Sequence, residues 1–148
     1  MVAQVNPINE THAQLSNAIV SAIMTGPAGV LLLRRSVTGE WTLPGGKAEG
    51  GESPETAMER EILEETGIAL SAQEKQRWRQ LPIVHLANGS TLVYFVIRIN
   101  KSPLVSLRLV EHDSYLWVTR PSDLPEWIHP GMVRQLLFLL PWCEEGNW

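Results

Sequence analysis

Residues 53–67 carry helix signals at both ends, and the rest of the chain has to be arranged around that helix. Ser53 is a preferred N-cap, Pro54 takes the first helical position, and Glu55 meets the positive end of the helix dipole. Gly67 suits the left-handed residue that stops a helix, so the spacing predicts a helix ending at Thr66. Before it, the apolar runs 18–24 (AIVSAIM) and 29–35 (GVLLLRR) flank Gly26-Pro27 and read as two strands around a turn. Trp41-Thr42-Leu43 reads as a short strand that runs into a loop, Pro44-Gly45-Gly46. After the helix, runs 81–86 and 91–99 read as strands joined at Asn88-Gly89, a strong hairpin signal. A further strand near 114–119 follows the acidic turn Glu111-His112-Asp113, and residues 130–140 read as a closing helix ahead of Pro141. The first 15 residues are polar and non-periodic and are expected to form an arm. The simplest architecture is α/β (α+β): a mixed β-sheet sandwiched between α-helices, in a single domain over residues 1–148.

Composition narrows the class of protein. An apolar fraction of 44% is enough for a core without metal or disulfide staples. The single cysteine, Cys143, is assigned to packing; with no disulfide possible within the chain, a reducing, cytoplasmic setting is expected. No signal-peptide pattern is seen, and no apolar run approaches the ~18 residues of a membrane span. A net charge of −4 argues against a nucleic-acid polymer as partner. It leaves open a small phosphorylated molecule bound through cations.

Glu61, Glu64 and Glu65 lie within the predicted helix, and Glu52 lies in the loop before it. At ~100° per residue, Glu64 and Glu65 fall about 300° and about 40° from Glu61, so the three carboxylates share one sector. Like charges at that spacing repel by a few tenths of a kcal/mol per pair. A solvated acidic surface is one explanation. A site for a hard cation is the other, since Mg²⁺ prefers oxygen ligands and is commonly held by one or two carboxylates plus substrate phosphates. Arg60 lies four residues before Glu64, where it can neutralise and orient a carboxylate. Gly45 and Gly46 permit close approach to phosphates or to the helix.

Read together, Gly46, Glu52, Arg60, Glu61, Ile62, Glu64, Glu65, Gly67 and Ile68 fill every specified position of the Nudix box. With each fixed residue used at roughly 5–7%, a chance match is on the order of 10⁻⁹ per starting position. The chain therefore resembles the Nudix superfamily. Leu43-Pro44-Gly45-Gly46, the Arg34-Arg35 pair, and Glu111 six residues before Trp117 resemble its MutT-like members. The resemblance implies a hydrolase that cleaves a phosphoanhydride bond in a nucleoside diphosphate linked to a group X. It implies Mg²⁺, or Mn²⁺ as a substitute, held by Glu61, Glu64 and Glu65, with Glu52 as a further ligand and Arg60 orienting the cluster. Glu64 and Glu111 are the candidate general bases, Glu64 ahead; a plain turn acid is the alternative for Glu111.

The substrate is less constrained. The resemblance places Arg34 near the nucleotide, where a solvated strand end or surface ion pair is the plain alternative. Among six tryptophans, Trp41 lies close to the box and Trp127 falls where MutT relatives build part of their base pocket. Core packing is the plain alternative for any of them. The stretch Pro125-Glu126-Trp127-Ile128-His129-Pro130 lacks the asparagine with which MutT reads an oxidised guanine. His85, His112 and His129 are scattered singly and are assigned to surface or satisfied positions. A nucleoside triphosphate is the first expected substrate. ADP-ribose, nucleotide sugars or dinucleoside polyphosphates come second, and a nucleotide-sensing module without turnover third. A monomer and a homodimer are both compatible with the apolar C-terminal segment.

Overall fold

A computed structural model describes residues 18–128. Strand β1 (Ile19–Gly26) is almost entirely buried and is the axis of an eight-stranded mixed sheet. It runs parallel to β7 (Thr91–Arg98), in register from Ile19↔Leu92 to Thr25↔Arg98. On its other side it meets β2 (Gly29–Arg35) at the hairpin end alone, through Thr25↔Val30 and Gly26↔Gly29. Beyond that point the two strands part. Chain 44–47 fills the space along β1: Ala22 donates to the Pro44 carbonyl at 2.8 Å, and β4 (Gly45–Lys47) pairs Ser21↔Gly45 through Ile19↔Lys47. The expected loop at Pro44-Gly45-Gly46 is therefore a strand from Gly45 onward. Its glycines are needed because a Cβ on Gly45 would strike the Val20 carbonyl.

The far side of β2 carries β8 (His112–Val118) antiparallel, and β3 (Trp41–Thr42) pairs with Leu33 and Arg34. Strand β8 starts two residues earlier than its apolar pattern suggests, because His112 pairs with Arg35 across a register shift between Arg34 and Arg35. Such a bulge re-aims the side chains beside it. Of the expected strand over 81–86, only β6 (Val84–His85) forms; β5 (Arg79–Gln80) pairs with β7 just before that range, and Pro82 between them has no N–H to donate. The hairpin at Asn88-Gly89 forms as expected, with Gly89 at φ 87° and Leu86 donating to Ser90.

Helix α1 (Pro54–Thr66) has the predicted ends. The Ser53 hydroxyl accepts from the Thr56 amide at 3.2 Å, and Gly67, at φ 72°, donates to the Leu63 carbonyl at 2.9 Å. Its buried residues include Ala57, Met58, Ile62 and Glu65, so one carboxylate lies on the face that packs against the sheet. A short helix α2 (Ala72–Arg77) was not anticipated, although its capping box, Ser71 with Glu74, is written in the sequence. Two apolar clusters cover the two faces of the sheet. Val20, Ala22, Met24, Leu33 and Phe95 pack with α1 on one; Ile23, Val30, Leu32, Leu43, Tyr94 and Val118 form the other. The expected closing helix 130–140 and the arm 1–15 lie outside the described residues.

Candidate active site

Strand β4 passes beside α1, where Glu61 lies against Gly46 and Glu65 meets Gly45, while Glu64 contacts Arg60 and Arg108. Arg60 is the hub. Its Nε and Nη2 donate to the two oxygens of Glu52 at 2.8 and 2.9 Å, a bidentate pair. Nη1 donates to Glu61 at 2.9 Å and to Glu64 at 3.2 Å, and Nη2 also reaches the Lys47 carbonyl at 3.2 Å. The carboxyl of Glu52 is held below the usual carboxylate range, first by its bond to Arg60 and then by the Glu49 amide. Glu61 is pushed upward instead, because burial outweighs its contact with Arg60. Gly46 is required here by space: a Cβ would lie 2.5 Å from a Glu61 oxygen.

Glu65 is held differently. Its carboxylate is 4% exposed and accepts from the Gly45 amide at 2.8 Å. Burial pushes its pKa up to about 8, against the Gly45 bond, and the charges of Glu61 and Glu111 add to the rise. Glu111 approaches from the turn before β8, where its backbone and that of His112 both donate to the Arg108 carbonyl at 2.9 Å. One ligand atom each from Glu65, Glu111 and His112 lie within 4.8 Å of one another. His112 is buried, not the surface or satisfied histidine expected: its Nδ1 finds no hydrogen-bond partner among the described residues. Burial also lowers its pKa and so favours the neutral ring. The adjacent Glu-His pair at a strand entry was the sequence signal for it.

Glu65, Glu111, His112, Gly45 and Gly46 line a cavity of about 810 Å³ between the parted strands. Much of its remaining wall is apolar, including Val37, Leu86, Leu92, Tyr94 and Val110, and its basic residue is Arg35. Arg34 is elsewhere. It makes two bonds to Asp113, at 2.9 and 2.7 Å, the surface ion pair that was the plain alternative to nucleotide contact. With Trp41 and Trp127 it borders a second cleft of about 410 Å³, which shares Thr38 with the first. Trp127 is 70% exposed, not core, and its carbonyl accepts from the Trp41 amide at 2.6 Å.

The model of the Nudix domain matches residues 15–120. The chain belongs to the Nudix family. It is a hydrolase of phosphorus-containing acid anhydrides, of the MutT-like kind. A MutT-like protein of Streptomyces ambofaciens is 33% identical over 121 residues, covering 81% of this chain and 74% of the relative. A nucleoside triphosphatase, NudI, of Enterobacter sp. (strain 638) is 34% identical over 91 residues, covering 57% of this chain and 64% of the relative. The crystal structure of a MutT Nudix hydrolase from Burkholderia pseudomallei superposes with a TM-score of 0.63 at 31% identity, over 82% of this chain and 95% of that one. Among the described residues of this Nudix hydrolase, no helix is long and apolar enough to cross a membrane.

Proposed function

We propose that this Nudix hydrolase is a Mg²⁺-dependent pyrophosphohydrolase, with Mn²⁺ as a substitute, that converts a nucleoside or deoxynucleoside triphosphate to the monophosphate and pyrophosphate. The observation that carries this reading is the acidic end of the 810 Å³ cavity, where Glu65 and Glu111 meet an apolar wall large enough for a nucleoside. The residues suit a hard divalent cation: Glu61 and Glu65 lie against β4, Glu65 preset by the Gly45 amide, and Glu64 shares the Arg60 guanidinium with Glu61. When bound, the cation supplies positive charge against the polyphosphate and promotes ionisation of the attacking water.

The chain's own groups do the rest. Arg60 holds Glu52, Glu61 and Glu64 in fixed positions, so little reorganisation accompanies reaction. Glu64 is the candidate base, because both of its cation contacts, to Arg60 at 3.2 Å and Arg108 at 3.8 Å, fall on Oε2. Oε1 of Glu64 then takes the proton from water. Glu111 is the other candidate, and the two glutamine variants separate them. Arg35 meets phosphate charge in the cavity, and Val37, Leu86, Tyr94 and Val110 surround the base.

The second cleft favours one further reading. Because it joins the first at Thr38 and carries Trp41 and Trp127, a larger X group such as a sugar or a second nucleoside has a place to lie. A small nucleotide substrate and the absence of a disulfide within the chain both suit a reducing cytoplasm. Hydrolysis of a panel of triphosphates, oxidised nucleotides, ADP-ribose, nucleotide sugars and dinucleoside polyphosphates, with products resolved by chromatography, tests the proposal. Monophosphate and pyrophosphate from a triphosphate support it. Turnover confined to compounds with a large X would replace it with the second reading. Tight nucleotide binding with no turnover in Mg²⁺ or Mn²⁺ would make the protein a sensor.

A further inference from the structure

We infer that His112 is a nitrogen ligand to a divalent cation shared with Glu65 and Glu111, and that its imidazole strengthens the hold on Mn²⁺ or Co²⁺ more than on Mg²⁺. The inference rests on the hydrolase reading only in that the site faces the same cavity.

Three observations carry it. One ligand atom from each of the three residues falls within 4.8 Å of the others, close enough to converge on one ion. His112 is 6% exposed, and its Nδ1 has no partner among the described residues, although it sits in a polar neighbourhood. A buried polar nitrogen without a partner is destabilising, so binding a ligand there would be favourable. The third observation is how the set is aimed. The register shift leaves Asp113 as the extra residue of β8, next to His112; the Arg108 carbonyl accepts from both the Glu111 and His112 amides, and Ser36 donates to the Glu111 carbonyl at 2.9 Å. Glu65 is fixed by Gly45. All three side chains face the cavity, so an ion among them would face the substrate.

The donor set decides the ion. Glu52, Glu61 and Glu64 already have a cation in Arg60. Glu65 has a backbone amide, and Glu111 touches Arg108 at 3.4 Å on the surface. Carboxylates and water alone suit Mg²⁺, whereas one imidazole tilts the set toward first-row transition ions, with affinity rising from Mn²⁺ to Co²⁺.

Electron spin-echo spectroscopy of Mn²⁺ bound to the full chain reads the nitrogen directly. The expected result is ¹⁴N modulation from one imidazole, absent in His112→Asn, with Mn²⁺ affinity in that variant weakened about 10-fold or more. Mg²⁺ affinity, measured by competition, should change far less. Absence of nitrogen modulation in the unaltered protein, or its persistence in His112→Asn, would overturn the inference. If His112→Asn does not fold, imidazole NMR of the unaltered protein decides: Mn²⁺ must broaden His112 first among the four histidines. Broadening of another histidine first would overturn the assignment. The two readings fail separately. Mg²⁺-supported turnover without nitrogen ligation removes this inference and leaves the hydrolase, while nitrogen-ligated Mn²⁺ without turnover keeps the inference and removes the proposed reaction.

Discussion

Glu61 and Glu65 leave the same helix one turn apart, yet Glu61 meets the Arg60 guanidinium at 2.9 Å while Glu65 meets the Gly45 amide at 2.8 Å. On the Arg60 side, one guanidinium grips three carboxylates, so Glu52, Glu61 and Glu64 are held in place before any ligand arrives, although the group keeps a net negative charge. On the Glu65 side, a buried carboxyl, a second acid and an imidazole whose Nδ1 has no partner among the described residues face a cavity. One half of the site is organised by an ion-pair hub. The other is an electrostatic deficit that a divalent cation would fill. The contrast suggests that removing groups from the first half should cost both structure and rate, whereas removing them from the second should cost metal and rate but relieve the fold.

The largest effect is expected at Glu64. Changing Glu64→Gln keeps its size and its contact with Arg60 but removes the ability to accept a proton, so kcat should fall about 10²–10⁴-fold. The melting temperature should stay within about 3 °C, because the carboxylate is exposed to water. Near-normal turnover in a folded Glu64→Gln protein would remove Glu64 from the chemistry and leave Glu111 as the base.

Arg60→Lys tests the half that Arg60 organises. Lysine retains the charge but cannot form the fork that grips both oxygens of Glu52 while reaching Glu61 and Glu64. Metal affinity should weaken about 10–100-fold, and the protein should melt several degrees lower. An unchanged calorimetric titration with Mn²⁺ would mean that the network is incidental to the metal.

Glu65→Gln should show the opposite sign in stability. The folded-state pKa of Glu65, about 8, lies above the ordinary value of 4.5. Between those values the native state binds more protons than the unfolded chain, so this group lowers stability as pH rises across that window. Near pH 7 the cost is on the order of 3 kcal/mol. The metal-free glutamine variant should therefore melt about 5 °C higher than the unaltered protein at pH 7.5, and the gap should close toward pH 5. Mn²⁺ should reverse the ranking by stabilising the unaltered protein alone. A variant that melts lower at pH 7.5 in chelator would break the contrast between the two halves.

Legibility in the sequence divides along the same line. The helix was readable because Ser53, Pro54 and Gly67 act locally, through caps and backbone conformation that need no distant partner. The grip of Arg60 on Glu64 follows from their spacing of one turn. Its bidentate pair with Glu52 depends on how the preceding loop folds back, which spacing alone does not determine. The β1–β2 turn and the Asn88-Gly89 hairpin were equally local. Strand β4 was hidden because Pro44-Gly45-Gly46 reads as a breaker, and its pairing with β1 appears only once β2 has diverged. Local burial patterns could not anticipate that Glu65 is inside while Glu64 is at the surface. His112 joins that set through long-range pairing with Arg35, so it looked like one more scattered histidine.

The smallest effect is expected at Arg34, which lies outside both halves. Its pair with Asp113 joins side chains that are 39% and 36% exposed, and such pairs contribute about 0.2–1 kcal/mol. Arg34→Ala should shift the melting temperature by about 2 °C or less and leave kcat unchanged. The resemblance to MutT-like enzymes instead places an arginine here against the nucleotide, and KM separates the two cases. If Arg34 serves only the ion pair, KM should stay within about 3-fold, since a change of that size is less than 1 kcal/mol. If it leaves Asp113 for the substrate, KM should rise about 10-fold or more in Arg34→Ala, the loss of a charge-assisted contact. Asp113→Ala then supplies the decisive arm. Freed from its partner, an arginine that serves substrate should lower KM, whereas one that serves only the surface should leave it where it was.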